Sequence, residues 1–524
     1  MRAIFRPLFV LIALITPLAA QALECDIAVF APLADSSPYR VSLSSAEIVD
    51  EAGGYCRLEG EIGNTDGQSQ IRFRLRFPDA AGWNGRFLVS GNGGTAGAFQ
   101  SENRVQVALE LGYATGQTDT GHVRDGAEDW LMTETESGVL IPNYAAIEDF
   151  GHRSIHLTSV VGKQFVDAFY ARAPEYSYYL GCSTGGRQGL KAMQRYPNDF
   201  DGIVAGAPVF SLTRLNMSQV WAAQRAAELD DSGEALVGEQ LDLIKESVVA
   251  MCDSLDGVTD RLIDDPRQCS FDPAVLQCSA GDSPPQCLSE PQVEFVRTIY
   301  DGPVTSAGEQ IYPGRVHGSE GGGMGGMGGW TDLLPAACPN EAGTSRCDLV
   351  SRAWHQDPGR DMGKDFSIDN PDDVAAADSS YYSGVTRADN PDVTPFVQGG
   401  GKAIIYHGWS DPGVTPLTTI EFYEAMEDTV SRKRQESDFR DHLRLFLAPG
   451  MGHCQGGDGA NDYLGPALEA IDSWVSEGRA PDSIIATNAQ RGLSRPWCPY
   501  PQVARLREPG LDSTDAESFE CVSP

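Results

Sequence analysis

The sequence predicts an α/β protein whose parallel sheet is interrupted by a large insertion. Three observations lead there. Strand-like and helical segments alternate from about residue 71 to 205. The pentapeptide Gly181-Cys182-Ser183-Thr184-Gly185 falls between a predicted strand and a predicted helix. The alternation then breaks off and resumes only at Lys402. A chain of 524 residues exceeds one ordinary domain of about 100 to 200 residues, so two lobes are expected. With 41% hydrophobic residues, 57 Gly and 32 Pro it can bury a large core, which excludes global disorder and a fibrous protein. The 39 basic and 74 acidic residues give a net charge of -35, a field that repels nucleic acid and anionic membrane surfaces.

Taken in order, the first residues carry Arg2 and Arg6, an apolar run from Leu8 to Leu18, and Ala20-Gln21-Ala22, the pattern of a cleaved export signal over residues 1–22. The run is shorter than the roughly 20 apolar residues of a membrane span. Export, to the periplasm or the medium, makes disulfides the expected state of the 12 cysteines. Ile71 to Phe77 and Arg86 to Ser90 read as strands, the second running into the turn Gly91-Asn92-Gly93-Gly94. A helix near Ser101 to Leu111 and a strand from Tyr113 to Gly116 follow. His152 to Phe169 has helical apolar spacing, Tyr176 to Leu180 is an aromatic strand, Gly189 to Arg195 a helix, and Gly202 to Ala205 a buried strand. Leu212 to Val249 reads as helices, and from Cys252 to about Asp392 the chain is rich in loops and prolines, with a glycine run from Gly321 to Gly329 that predicts a flexible loop within an ordered insertion. Lys402 to His407 is a strand, Leu417 to Met426 a helix, and Leu443 to Leu447 a further strand.

The pentapeptide fits G-x-S-x-G, in which a sharp turn lifts a serine hydroxyl above the carboxyl edge of a sheet. A serine is a poor nucleophile at neutral pH and needs a histidine base and an acid to orient it. In hydrolases built on this turn the acid follows the serine and the histidine follows the acid, each in a loop after a later strand. Asp411 and His453 occupy those loops. His407 stands at a strand end before the acid, which makes it structural on that ordering, and His122, His152 and His156 precede the serine and read as packing residues. Two backbone N–H groups are needed for the developing oxyanion. Thr184 supplies one by position, and Gly93 or Gly94 the other.

Cys182 directly before the serine and Cys454 directly after the histidine would, if bonded, tie the two loops together. This Cys-Ser, Asp, His-Cys arrangement resembles the tannase and feruloyl esterase family, which includes relatives acting on mono(2-hydroxyethyl) terephthalate. The likeness extends over Trp83-Asn84-Gly85-Arg86-Phe87, Gly181 to Gly189, Tyr406 to Pro412 and Gly450 to Cys454. It implies an α/β-hydrolase core formed by residues 23–211 and 393–524, with a lid domain over 212–392. It also implies structural Ca2+ in the lid, held by the Asp253, Asp256 and Asp260 side chains and the Val258 and Leu262 carbonyls, and no organic cofactor. Three closely spaced carboxylates suit a hard cation, although the spacing is not that of an EF-hand. The resemblance further implies bonds Cys25–Cys56, Cys252–Cys269, Cys278–Cys287 and Cys498–Cys521, leaving Cys338 for Cys347.

The expected activity is that of a secreted serine carboxylesterase acting on a small aromatic ester of a hydroxycinnamic or gallic acid. The alternatives are a terephthalate monoester, an amide cleaved by the same triad, and a calcium-stabilised binding protein without turnover. Lid aromatics Trp330, Trp354, Phe366, Tyr381 and Tyr382 are candidates for the acid ring.

Overall fold

In the computed structural model residues 24–523 are described, apart from 52–53, 64–69, 124–128, 322, 325–326, 335–337, 339–345, 358 and 434–438. The export signal and its cleavage site therefore lie outside the described residues. The strands of the main sheet are β1 (Arg40–Val49), β2 (Tyr55–Gly63), β3 (Gln70–Pro78), β4 (Arg86–Ser90), β5 (Ala114–Thr118), β6 (Tyr176–Cys182), β7 (Gly202–Gly206), β8 (Lys402–Gly408) and β9 (Leu443–Ala448). Their spatial order is β1-β2-β3-β5-β4-β6-β7-β8-β9. From β5 to β9 every pairing is parallel, but β1, β2 and β3 pair antiparallel, and β3 meets β5 antiparallel. The sheet is thus mixed, where alternation alone predicted a parallel one. The antiparallel edge comes from β2, whose Cys56, Leu58, Gly60 and Ile62 point inward while Arg57, Glu59 and Glu61 point outward, the period of a strand half open to solvent.

The connecting helices are α1 (Glu102–Glu110), α2 (Ser154–Tyr170) and α3 (Thr184–Arg195), followed in the insertion by α4 (Leu212–Asp231), α5 (Gly238–Cys252) and α6 (Glu290–Asp301), and then by α7 (Pro416–Lys433) and α8 (Leu464–Glu477). Helix α2 follows a π turn at Asp149–Arg153. It buries Ile155, Val161, Phe165 and Phe169 against the sheet, with Phe169 stacked on Phe77 at 4.8 Å between centroids. Each such side chain contributes about 1.5–3 kcal/mol by leaving water. On the opposite face α8 buries Leu468, Ile471 and Trp474 with Tyr178, Ile404 and Phe446.

The insertion has its own apolar core, built from α4, α5, α6, Trp330, Trp354, Phe366 and Tyr382. This core also takes in Trp130, Leu131, Ala146 and Phe150 from the stretch between β5 and β6. Within the glycine run, Gly323–Met324 pairs antiparallel with Met327–Gly328. Among the described residues no helix is long and apolar enough to cross a membrane.

Candidate active site

Strands β8 and β9 end level with one another, and β6 ends level with Tyr406, just short of the end of β8. Cys182 and Tyr406 both pair with Gly206, and Gly408 pairs with Ala448. The loops that leave them carry Ser183, Asp411 and His453 from one edge of the sheet.

Ser183 has φ 63° and ψ -121°, a left-handed conformation for a residue with a Cβ, which costs about 1–3 kcal/mol. The surroundings hold it there. Its N–H donates to Gly206 O at 2.9 Å. Gly185 lets the turn approach the early glycine loop, since a Cβ there would stand 2.8 Å from Asn92 O. Asn92 N–H donates to Gln188 Oε1 at 3.0 Å, Gln188 Nε2 donates to Asn92 Oδ1 at 3.3 Å, and the Tyr179 hydroxyl donates to Gly185 O at 2.7 Å. Helix α3 starts at Thr184, immediately after the serine and five residues earlier than its apolar spacing predicts. As the first helical residue, Thr184 has no intrahelical partner for its N–H. Its hydroxyl donates to Gly94 O at 2.6 Å, which places Gly94 against the serine turn. The Gly93 N–H donates to Gln100 Oε1 at 2.7 Å and is therefore already engaged.

Asp411 is wholly buried and accepts four hydrogen bonds. Oδ1 receives the Gly413 and Val414 N–H groups, each at 2.9 Å. Oδ2 receives His453 Nδ1 at 2.6 Å and His407 Nε2 at 3.1 Å. Burial alone would raise this carboxyl, but the charge on His453 and the hydrogen bonds from both imidazoles outweigh it and hold the group well below the usual carboxylate range. The acid and histidine loops are stitched together by Trp409 N–H to Ala448 O and Ser410 N–H to Met451 O, both 2.9 Å. Gly408 permits this contact, because a Cβ there would lie 2.5 Å from Gly452 O and closer still to Met451 O.

Cys182 and Cys454 are bonded, with S–S 2.01 Å and Cα atoms 5.9 Å apart. Since consecutive Cα atoms are about 3.8 Å apart, the bridge keeps the Cα atoms of Ser183 and His453 within roughly 13 Å of each other at the sheet edge. Of the other five pairs, Cys25–Cys56, Cys252–Cys269, Cys278–Cys287 and Cys498–Cys521 are those the resemblance implied, and Cys338–Cys347 is the pair that was left over. Six disulfides are the cysteine chemistry of an oxidising compartment.

The three histidines that precede the serine are bonded to partners other than the serine, acid and histidine of these loops. His122 Nε2 lies 2.8 Å from Thr95 O and its ring stacks on Trp130. His152 Nδ1 lies 2.9 Å from the Tyr196 hydroxyl, and His156 Nδ1 pairs with Asp199 Oδ2 at 2.8 Å. Of the lid aromatics, Trp330, Trp354, Phe366 and Tyr382 are buried in the insertion's core, whereas Tyr381 is 36% exposed and its hydroxyl donates to Glu148 Oε1.

In the acidic lid loop Asp253 Oδ1 accepts the N–H groups of Asp260 and Arg261, Asp256 Oδ1 that of Val258, and Asp260 Oδ1 that of Leu262. Among the described residues no three His, Cys, Asp or Glu side chains are drawn together as a ready-made metal cage. The donor set nevertheless fits a hard cation. Asp256 Oδ2 and Asp264 Oδ1 are buried with no hydrogen-bond partner. Burial, with Asp260 and Asp253 adding to it, pushes the Asp256 carboxyl up to about 6. Burial likewise pushes Asp264 up to about 7, against the nearby charge of Arg495. Such an excess of buried negative charge is what bound calcium relieves.

Sequence reasoning missed Asp264 and Arg495, which forms an ion pair with Asp260, and also Arg315, whose Nε donates to Pro412 O at 2.6 Å. Asp264 continues the acidic spacing and was within reach of the same argument. Arg495 lies 235 residues beyond its partner, and nothing local marks it.

A family model for tannase and feruloyl esterase matches residues 56–522. Mono(2-hydroxyethyl) terephthalate hydrolase of Piscinibacter sakaiensis is 33% identical, over 90% of this chain and 85% of that protein. Feruloyl esterase C of Talaromyces stipitatus is 31% identical, over 94% and 89%. The crystal structure of feruloyl esterase B from Aspergillus oryzae superimposes with a TM-score of 0.80 at 27% identity, covering 95% of this chain and all of that one. The tannin acyl hydrolase of Aspergillus niger shares the fold, with a TM-score of 0.71 at 21% identity. The chain, with its α/β-hydrolase-type sheet, belongs to the tannase and feruloyl esterase family and is a carboxylic ester hydrolase.

Proposed function

We propose that the protein is an exported serine esterase that hydrolyses esters of aromatic acids, a hydroxycinnamate or gallate ester in the first instance, through an acyl-enzyme. Ser183 Oγ attacks the ester carbonyl while His453 Nε2 takes its proton. Asp411, bonded to Nδ1, fixes the tautomer and stabilises the imidazolium. The N–H groups of Thr184 and Gly94 receive the oxyanion, Gly94 being preferred because Gly93 is bound to Gln100. His453 returns the proton to the leaving alcohol, and water then releases the acid by the same steps in reverse. The observation that carries this reading is the 2.6 Å bond from His453 to a fully buried Asp411, in a loop stapled to the residue before Ser183.

The residues 212–392 act as the lid, with bound calcium held by Asp253, Asp256 and Asp260 and the Val258 and Leu262 carbonyls. Calcium there would supply charge compensation and rigidity, and it takes no part in hydrolysis. Export follows from the N-terminal signal pattern and agrees with the six disulfides. The second reading, a terephthalate monoester as substrate, is favoured by the 33% identity to the hydrolase of that name.

Two measurements test the proposal. Ser183→Ala should abolish turnover of p-nitrophenyl acetate, and an aryl phosphonate should label Ser183 in the parent enzyme. Retained activity in that variant rejects the mechanism. Comparing kcat/KM for methyl ferulate, methyl gallate and mono(2-hydroxyethyl) terephthalate separates the two substrate readings.

A further inference from the structure

We propose that His407 is a positioning residue for Asp411, holding the carboxylate so that one oxygen is aimed at His453. The inference rests on the triad reading above and goes beyond it. His407 Nε2 lies 3.1 Å from Asp411 Oδ2 and 2.9 Å from Val414 O. Both neighbours are acceptors, so Nε2 carries the proton and donates. Nδ1 stands 2.7 Å from Thr419 Oγ1, a hydroxyl in the first turn of α7 that can donate to it. Both nitrogens of this fully buried ring are therefore engaged, which removes it as a rival base and leaves Nε2 a fixed donor.

The carboxylate gains orientation from this arrangement. The two backbone donors on Oδ1 come from Gly413 and Val414, in the same short loop as Asp411, and move with it. His407 belongs to β8 in the sheet interior and is tied through Thr419 to a helix, so its bond alone references Oδ2 to rigid elements. His453 shares that same oxygen at 2.6 Å. Without the His407 donor, Oδ2 keeps only His453 as a partner and the carboxylate can shift together with its own loop, so the base loses its aim while the ester-binding surface is untouched.

The test uses the full-length enzyme with p-nitrophenyl acetate and compares His407→Phe, which keeps bulk without a donor, with His407→Gln, whose amide nitrogen reaches the place of Nε2. His407→Phe is expected to lower kcat about tenfold to a hundredfold with KM changed less than about twofold. His407→Gln should recover most of that loss at an equal melting temperature. Wild-type kcat in His407→Phe, or a His407→Gln as slow as His407→Phe at equal stability, overturns the inference. A loss in His407→Phe as complete as in Ser183→Ala, with no recovery in His407→Gln, also overturns it, because the ring would then be the base. Should His407→Phe fail to fold, Thr419→Val decides: a loss of about twofold to tenfold in kcat supports the tether, and no loss refutes it. Full activity in Ser183→Ala would instead refute the triad reading.

Discussion

Replacing both Cys182 and Cys454 by alanine separates two roles of their bridge. The bond closes a span of 272 residues, and in the chain-entropy picture such a closure withholds about 5–6 kcal/mol from the unfolded ensemble. A chain of 524 residues has an unfolding entropy of about 1 kcal/mol/K, so the same quantity corresponds to a fall of about 5 °C in Tm. The second role is geometric. Each cysteine is one residue from a group that exchanges a proton, and a misplacement of about 1 Å between such groups can cost on the order of a hundredfold in rate. The hydrogen bonds from Ser183 N–H to Gly206 O and from Ser410 N–H to Met451 O remain in the variant and limit the drift. The expected result is a loss of about tenfold to a hundredfold in kcat with KM within about threefold, alongside the lower Tm. Steady-state kinetics on p-nitrophenyl acetate and differential scanning calorimetry read the two effects separately, with the other five disulfides intact. A variant that melts earlier but keeps the parent kcat would show that the bridge only stabilises the fold and does not align the serine and histidine.

Two further outcomes follow. Calcium added to chelator-treated enzyme should raise Tm, by about 2.7 kcal/mol of stabilisation at a hundredfold excess over Kd, and Asp256→Asn should abolish the response in thermal unfolding monitored by circular dichroism. The half-buried His152 has its pKa lowered to about 3, first by desolvation and then by Arg195, Lys191, Arg153 and Arg187. An unfolded histidine titrates near 6.5, so the folded state binds fewer protons; this stability is fully present above about pH 6.5 and drains away as pH falls towards 3. Denaturant titrations across that window should slope less steeply for His152→Gln than for the parent, and equal slopes would remove His152 as a source of acid lability.

The parts of the fold that are legible in the sequence are those whose signal is local. Strands β6, β7 and β8 are buried on both faces and read as short continuous apolar runs, and their bounds are recovered to within two residues. The antiparallel edge escapes because β1 is half exposed along its length and its pairing with β2 depends on a partner beyond any short window. The start of α3 escapes for another reason. Thr184 to Gln188 carry no apolar stripe, and that turn of helix is held by the serine elbow and by Gln188's bonds to the glycine loop rather than by propensity. The positions of Ser183, Asp411 and His453 were legible because strand ends and chain order constrain them. The roles of His407, Arg315 and Gln100 were not, since each depends on which atom faces which across folded loops.

Two of those unread contacts, from His407 and Arg315, converge on the segment from Trp409 to Pro412. Arg315, from the insertion, donates through Nε to Pro412 O, and Arg267, also from the insertion, lies over the Trp409 ring at 5.5 Å. From the core side, His407 reaches Asp411 Oδ2, and the Ser410 N–H is bound to Met451 O in the histidine loop. The acid is therefore held between the two apolar cores, one set of contacts from each. Substitutions in the insertion at Arg315 or Arg267 would act on kcat through Asp411 without touching an ester, whereas a change confined to a cover over the substrate would act on KM. An insertion that grips the Asp411 loop in this way links its own packing to the position of that carboxylate, and this gives a physical reason for it to interrupt the sheet between Ser183 and Asp411 rather than to follow them.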